Sequence, residues 1–454
     1  MVINPKDNVE VREDGHKYAL KDIKAGESVI KYGMPIGHAT EDISAGSHVH
    51  VHNVKTNLAD VLEYEYKPVK GAGEALAPFE GEVPKILAYR RKSGRIGIRN
   101  EIWVVPTVGC VNNLCERLAE SCGGIALTHP YGCSQLGEDH EMTANLLAAL
   151  CHHPNAGGVL VVALGCENNT LESFKARLGD VSALNIRFML AQEAGDEFEE
   201  GLRLIKELET DRVDAREEVD VSELIVGLKC GGSDGFSGLT ANPLVGRFSD
   251  WLIARGGSSV LTEVPEMFGA ETLLMNRCKD RETFEKCVKM INDFKRYYES
   301  HGQVCYENPS PGNKAGGITT LEDKSLGCVQ KGGSSTVVDV LDYAEKVKSP
   351  GLSLLTGPGN DLVASTVLAA SGCHIILFTT GRGTPFGTVV PTMKIATNST
   401  LAANKPHWID WDAMAKTDVE EFASKVMSIA SGEKARNEIE KACGIAIFKD
   451  GVTL

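Results

Sequence analysis

The chain lacks most of the features that would place it in a class at sight. None of its 454 residues belong to a run approaching the ~20 consecutive apolar residues of a membrane span. Its first residues, MVINPKDNVEV, carry no apolar segment of the kind a signal peptide needs. No CxxC pair is present, which excludes a zinc ribbon. A phosphate-loop pattern is absent as well. Gly381-x-Gly383-x-x-x-Gly387 misses the dinucleotide fingerprint by one residue and runs toward Pro391 and a strand-like segment rather than a helix, so no nucleotide is expected there. Basic excess is missing too: 47 Lys and Arg stand against 62 Asp and Glu, a net charge of -15. A nucleic-acid partner needs a basic face and is excluded, and an anionic substrate needs a local cationic pocket. Thirteen cysteines, an odd number in a long chain without a signal segment, point to reduced thiols and a cytoplasmic location.

What is present is ordinary in bulk and unusual in places. The hydrophobic fraction is 42% and the charged fraction 24%, both typical of soluble globular chains. The length suits several domains with substantial cores. Against this background three histidines alternate in His48-Val49-His50-Val51-His52, followed by Asn53. In an extended strand all three imidazoles would share one face, neighbours about 6.5–7 Å apart and the outer pair roughly 13 Å apart. Two such rings can tilt onto one ion, and imidazole suits iron and zinc. A third ligand must come from elsewhere.

Residues 1–65 read as a small β domain, with turns every ten residues or so and a repeated D-I-x-A-G pattern at Asp22–Gly26 and Asp42–Gly46. Residues 66–90, with Pro68, Pro78, Pro84, Gly71, Gly73 and Gly81, read as a linker. From 91 to 220 apolar strands (Glu101–Thr107, Gly158–Leu164) alternate with helical segments (Val111–Ser121, Asp139–Leu150, Leu171–Leu178, 195–209). The charged run Glu207–Glu218 reads as a solvated separator. From 221 to 454 the alternation resumes: strands at Ile225–Lys229, Ser259–Leu261, Leu352–Thr356, His374–Thr379 and Ile445–Phe448, and helices at Leu244–Arg255 (capped by Asn242), Pro265–Arg277, Arg281–Glu299 and Asp361–Ala370. Such alternation predicts an α/β fold, two regions with mostly parallel sheets behind the N-terminal β domain.

The loops after the strands carry the chemistry-bearing residues, where open α/β sheets gather ligands. Gly132-Cys133-Ser134-Gln135, Gly165-Cys166-Glu167-Asn168 and Cys230-Gly231-Gly232-Ser233-Asp234 are three of them. Cys133, Cys166 and Cys230 could act as three thiolate ligands of an iron-sulfur cluster, or be buried cysteines at strand ends. The polar segment Asn308–Gly317 has the length and rigidity of a functional loop.

These residues also resemble a known family. Gly15-His16-Lys17, Lys31-Tyr32-Gly33, Ile36-Gly37 and His50-Val51-His52-Asn53 are similar to the N-terminal β-clip (SAF-like) domain of altronate and galactarate dehydratases and the related sulfolactate sulfo-lyases. The similarity continues through GIRN at Gly97, GCSQLG at Gly132, HPNAGG at His153, LGCEN at Leu164, CGGSDGFSG at Cys230, TEVPE at Thr262, the PSPGNKAGGITTLEDKSLGC run, TGPGND, FTTGRGTPFG and KDGVTL. The resemblance implies a hydro-lyase taking a sugar acid to a 2-keto-3-deoxy acid, closest to conversion of D-altronate to 2-dehydro-3-deoxy-D-gluconate in hexuronate catabolism. Galactarate dehydration or sulfite elimination are the alternatives. It also implies Fe2+ or a similar ion such as Mn2+. A divalent cation offsets the charge left when carbon 2 loses its proton, and a base and an acid must move the two protons.

On this reading His50 and His52 hold the metal with His16 as helper. Lys31, Tyr32, Glu167, Glu263 and Glu266 are candidates for acid, base or ligand roles, Lys31 as a base if burial lowers its pKa. Ser233, Asp234, Asn242 and Asn313 would bond hydroxyls, and Lys314 and Arg382 would neutralise the substrate carboxylate. The expected partner is the small sugar acid alone, with neither nucleic acid nor membrane, and a homodimer is the base-rate assembly.

Overall fold

The computed structural model describes residues 1–58, 61–72, 79–304 and 308–451. Gly73 and Pro78 of the expected linker and the last three residues of KDGVTL lie outside the described residues. The N-terminal unit is built from two three-stranded antiparallel sheets, Val9–Val11, Lys17–Ala19 and His48–Val49 in one, Ser28–Lys31, Met34–Ala39 and Val54–Lys55 in the other. The D-I-x-A-G repeat explains how they clasp. Ile23 bridges Ile43, the Asp22 carboxylate accepts from Ala45 N–H at 2.8 Å, and Asp42 accepts from Ala25 N–H at 3.0 Å. Each aspartate therefore ties down the other's turn.

Two parallel sheets follow. The smaller has the order Ile125–Ala126, Ile102–Pro106, Gly158–Ala163, Ile186–Leu190. The larger has seven strands in the order Val337–Leu341, Gly351–Leu355, Ser258–Leu261, Ile225–Cys230, Ile375–Thr380, Thr392–Ala396, Trp411–Asp412. Their central strands are buried throughout or nearly so, as continuous apolar runs require, and edge strands such as Ile125–Ala126 and Val337–Leu341 are partly exposed. The α/β expectation, with an N-terminal β unit and mostly parallel sheets, matches this arrangement. The strand order of the large sheet reverses at its central strand Ile225–Cys230, so the loops after Cys230 and Thr380 flank a crevice at the carboxyl ends.

Several local expectations give way. Lys85–Arg90 is a strand, paired with Glu217–Asp220 and Ile96–Gly97, so a third small sheet takes in the end of the linker and of the charged run. Pro265 opens a single 3-10 turn, Val264–Glu266, and the helix proper is only Glu271–Met275. Ile445–Phe448 forms no strand: Ala446 N–H donates to Thr366 Oγ1 and Phe448 N–H to the Tyr343 hydroxyl. The helix Ala241–Ala254 starts one residue before Asn242, whose side chain makes tertiary bonds instead of a cap.

The seam between the two parallel sheets is held by neutral histidines. His374 accepts from Ile225 N–H and donates to Ile96 O at 3.0 Å, and His153 accepts from Asn155 N–H and donates to Cys373 O at 3.1 Å. Burial, with Arg95 nearby, pushes His374 down to about 4, and burial lowers His153 as well. A folded pKa below the unfolded one means that the unfolded chain binds the extra proton. Stability is therefore complete above about pH 6.5 and is lost as pH falls toward 4, about 3 kcal/mol of it through His374. The urea midpoint is expected to drop steadily between pH 7 and pH 5. An unchanged midpoint over that range would mean that His374 does not stay neutral.

Candidate active site

The helix Leu321–Cys328 organises the site. Thr320 caps it by accepting from Asp323 N–H, and every residue of the helix is buried although Glu322, Asp323 and Lys324 are consecutive charges. One face meets the N-terminal unit. Both Asp323 oxygens are taken by lysines of that unit, Lys17 at 2.7 Å and Lys31 at 3.0 Å, and Glu322 accepts from Asn57 N–H at 2.6 Å and from Thr56 Oγ1 at 2.9 Å. Backbones touch beside this cluster: a Cβ on Gly235 would lie 1.9 Å from Gly15 O, and one on Gly317 would lie 2.1 Å from it.

The other face looks into a cleft of about 550 Å³ at the carboxyl edge of the large sheet. Cys230, Gly231, Gly232, Glu266, Asn308, Ser310, Asn313, Lys324 and the loop 358–361 line it, with Phe294, Tyr297 and Tyr298 on the apolar side. Lys324 Nζ donates to Glu266 Oε1 at 2.7 Å, Asn308 Oδ1 at 2.9 Å and Asn313 Oδ1 at 3.2 Å. Lys324 holds the Glu266 carboxyl well below its usual range against the opposing effect of burial. Behind this wall, fully buried Lys229 pairs with Glu263 and, at 3.0 Å, with Asp361, while Lys331 reaches Glu263 at 3.4 Å. Glu263 adopts a left-handed backbone (φ 72°), a strained state for a residue with a side chain, and of the kind that clusters at functional sites.

The structure separates the sequence candidates. Glu266, Asn313 and Cys230 line the cleft. Ser233 lies next to it with a buried hydroxyl that has no protein partner. Asp234 is consumed by Thr397, Asn398, Ser237 and Phe236 N–H, and Asn242 spends its amide on Gly327 O and the Thr379 hydroxyl, so neither is free to bind a substrate hydroxyl. Glu167 accepts from Thr107 Oγ1 at 2.6 Å and from Leu164 and Gly165 N–H; it shapes a strand-end turn of the smaller sheet. Lys31 does not meet the condition for a base, because Asp323 and Tyr32 raise its pKa against burial; Lys17, more deeply desolvated, is the one pushed down, to about 8. Tyr32 is half-buried beside them, and the desolvation of its hydroxyl raises the pKa of that group. Lys314 and Arg382 make no ion pair among the described residues and stand beside lining residues, Lys314 next to Asn313 and Arg382 against Gly232.

The histidines are closer together than a strand allows. The strand ends at Val49, and Asn53 turns the chain, its side chain accepting from His50 N–H at 2.9 Å and donating to His48 O at 2.9 Å. The His48 and His52 rings therefore stack with centroids 5.5 Å apart, where an extended chain would separate them widely. His16 Nδ1 meets His48 Nε2 at 3.1 Å, and the His16 and His50 rings stand edge to face at 5.6 Å. His50 Nδ1 is buried with no partner. Cys133 and Cys166 are exposed on loops of the smaller sheet and do not assemble with Cys230. Sequence reasoning passed over Lys17, Lys229, Asp323, Lys324, Cys328 and Lys331. The available signal was the four-residue spacing of Lys324 and Cys328 behind a Thr cap, which puts both on one helix face.

With this geometry in hand, comparison with known proteins is direct. Residues 2–57 match the altronate/galactarate dehydratase SAF domain, 88–211 the D-galactarate dehydratase/altronate hydrolase second domain, and 221–453 the D-galactarate/altronate dehydratase C-terminal domain. An altronate dehydratase of Bacillus subtilis is 55% identical over 98% of this chain and 94% of its own length. One of Escherichia coli is 53% identical over the same shares. The galactarate dehydratase (L-threo-forming) of Escherichia coli is 32% identical over 94% of this chain and 87% of its own. The chain belongs to the altronate/galactarate dehydratase family.

Proposed function

We propose that the chain is a cytoplasmic hydro-lyase of hexuronate catabolism that converts D-altronate to 2-dehydro-3-deoxy-D-gluconate. The observation that carries this is the 55% and 53% identity to two altronate dehydratases across 98% of the chain, against 32% to a galactarate dehydratase. No described helix is long and apolar enough to cross a membrane.

The cleft suits a polyhydroxy acid. Its polar wall of Asn308, Ser310, Asn313 and Lys324 offers donors and acceptors to hydroxyls, and Lys314 and Arg382, adjacent to lining residues, would supply the cations that an anion needs in an acidic protein. The reaction must take a proton from carbon 2 and place one on the departing 3-hydroxyl. On the cleft wall the Glu266 oxygens are engaged by Lys324, Asn308 and the Cys328 thiol, whereas Asp361 gives Lys229 only Oδ1. On this reading Asp361 is the group that takes the proton from carbon 2. Lys324 holds fixed positive charge beside the carbon where negative charge develops.

A divalent ion is part of this reading. The partnerless buried His50 Nδ1 and the neighbouring His16 and His48 rings offer imidazoles, ligands that iron accepts, and their nitrogens must draw closer to share one ion such as Fe2+. His16, His48 and His50 would hold it. Bound there, it would supply Lewis-acid chemistry. His52, exposed and stacked on the outside of His48, would orient that ring.

The test is anaerobic incubation with D-altronate and Fe2+, following the 2-keto acid. Turnover is expected on altronate and far less on galactarate. His50→Ala should remove one equivalent of bound iron per chain and most of the activity, and His52→Ala should spare both. No product with altronate would end the proposal, and full iron occupancy in His50→Ala would remove that residue from the ligand set.

A further inference from the structure

Cys230, Glu266 and Cys328 converge from three separate elements. Cys230 ends the central strand of the large sheet, Glu266 closes the turn after its neighbour, and Cys328 ends the organising helix. The two sulfurs are 3.2 Å apart, Cys328 Sγ is 3.2 Å from Glu266 Oε2, and all three ligand atoms lie within 4.8 Å of one another. All three residues are buried, and no other set of three among the described residues meets this condition. Ligands about 2.0–2.3 Å from a tetrahedral ion stand about 3.3–3.8 Å from each other, so small side-chain adjustments would seat one here.

Two further observations point the same way. Cys230 and Glu266 are on the cleft wall, so a fourth coordination position would face the space a substrate occupies. Three protein ligands with an open position is the pattern of a catalytic metal site; structural sites are closed. The surrounding charge also fits. Buried Lys229, Lys324 and Lys331 are matched by Glu263, Glu266 and Asp361. Thiol ligands give up their protons when a metal binds, so two thiolates offset the charge of a divalent ion. Thiolate donors favour zinc, iron or cobalt over magnesium or calcium.

We infer that Cys230, Cys328 and Glu266 form a second divalent-metal site, distinct from the histidines, whose open position takes an oxygen of the bound sugar acid. The substrate-oxygen part rests on the dehydratase reading; the metal site does not.

The experiment uses the full chain, purified and stripped of metal under anaerobic, reducing conditions, and titrated with Co2+. The wild type should develop a thiolate-to-cobalt charge-transfer band in the near ultraviolet. Cys328→Ser and Cys230→Ser should each lose that band and one equivalent of cobalt, while His50→Ala keeps the band. Adding altronate should shift the visible cobalt bands of the wild type and of His50→Ala. A wild type with both thiols titratable and no band would overturn the site, as would a band that survives in both cysteine variants. So would a Cys230–Cys328 disulfide in the anaerobically purified protein. Turnover separates the two proposals. A chain that dehydrates altronate without the band loses only the metal site, and a chain with the band but no turnover with any sugar acid loses only the dehydratase reading.

Discussion

Asp323→Asn is expected to destabilise the protein by about 3–5 kcal/mol, the usual cost of stranding buried charge. Asp323 and Lys17 have no side-chain exposure at all and Lys31 has only 5%. Asp323 gives one oxygen to each lysine and also accepts from Thr319 N–H at 3.0 Å. An amide carries no charge and turns a donor toward one of the two ammonium groups. Lys17, already pushed down to about 8 by burial with Asp323 in place, would shed its proton without it. Lys31 would stay charged and uncompensated. Because both lysines belong to the N-terminal unit and Asp323 to the large α/β unit, the loss falls on the docking of one against the other. A thermal midpoint lowered by roughly 10 °C is the expected reading. Lys31→Met in the Asp323→Asn background should recover part of the loss, since it removes the stranded cation. A double variant no more stable than the single one would show that the cost has another origin.

The same cluster shows where the sequence is legible and where it is not. Strands such as Gly158–Ala163 and helices such as Leu171–Leu178 and Asp361–Ala370 follow from local pattern, because burial on both faces or on one stripe leaves its period in the chain. The site does not, because its partners are remote. Glu322, Asp323 and Lys324 look like a solvated helix face, and each is buried only because Thr56, Lys17 and Glu266 come to meet it from 266, 306 and 58 residues away. The histidine cluster was visible as composition, but its geometry depends on the Asn53 turn, which an alternating pattern conceals. Cys230 was identifiable as a strand-end residue; that its partner is Cys328 and not Cys133 or Cys166 is decided by the packing of one helix across the sheet edge. Lys31 stood out beside Tyr32, yet whether burial or a counter-ion governs it depends on Asp323, which no local motif announces.

Lys324→Met is expected to lower kcat by a factor on the order of 10²–10³, the usual cost of removing one preorganised electrostatic group. The ammonium is 8% exposed, is fixed by Glu266, Asn308 and Asn313, and stands on the cleft wall. Its three protons are already committed, so it binds the ground-state substrate weakly and acts through its field. That field matters most when carbon 2 has given up its proton and the bound acid carries its greatest negative charge. An interaction that strengthens only on the way to the transition state raises kcat rather than lowering KM. The expected signature is therefore a fall in kcat and kcat/KM together, with KM nearly unchanged. Lys324→Arg should retain part of the rate, since it keeps the charge and loses the fit to two asparagine oxygens. Stability should suffer less than in Asp323→Asn, because Lys229 and Lys331 still act on the Glu266 carboxylate. If KM rises while kcat holds, Lys324 is a substrate-binding cation and not a group that stabilises the developing charge.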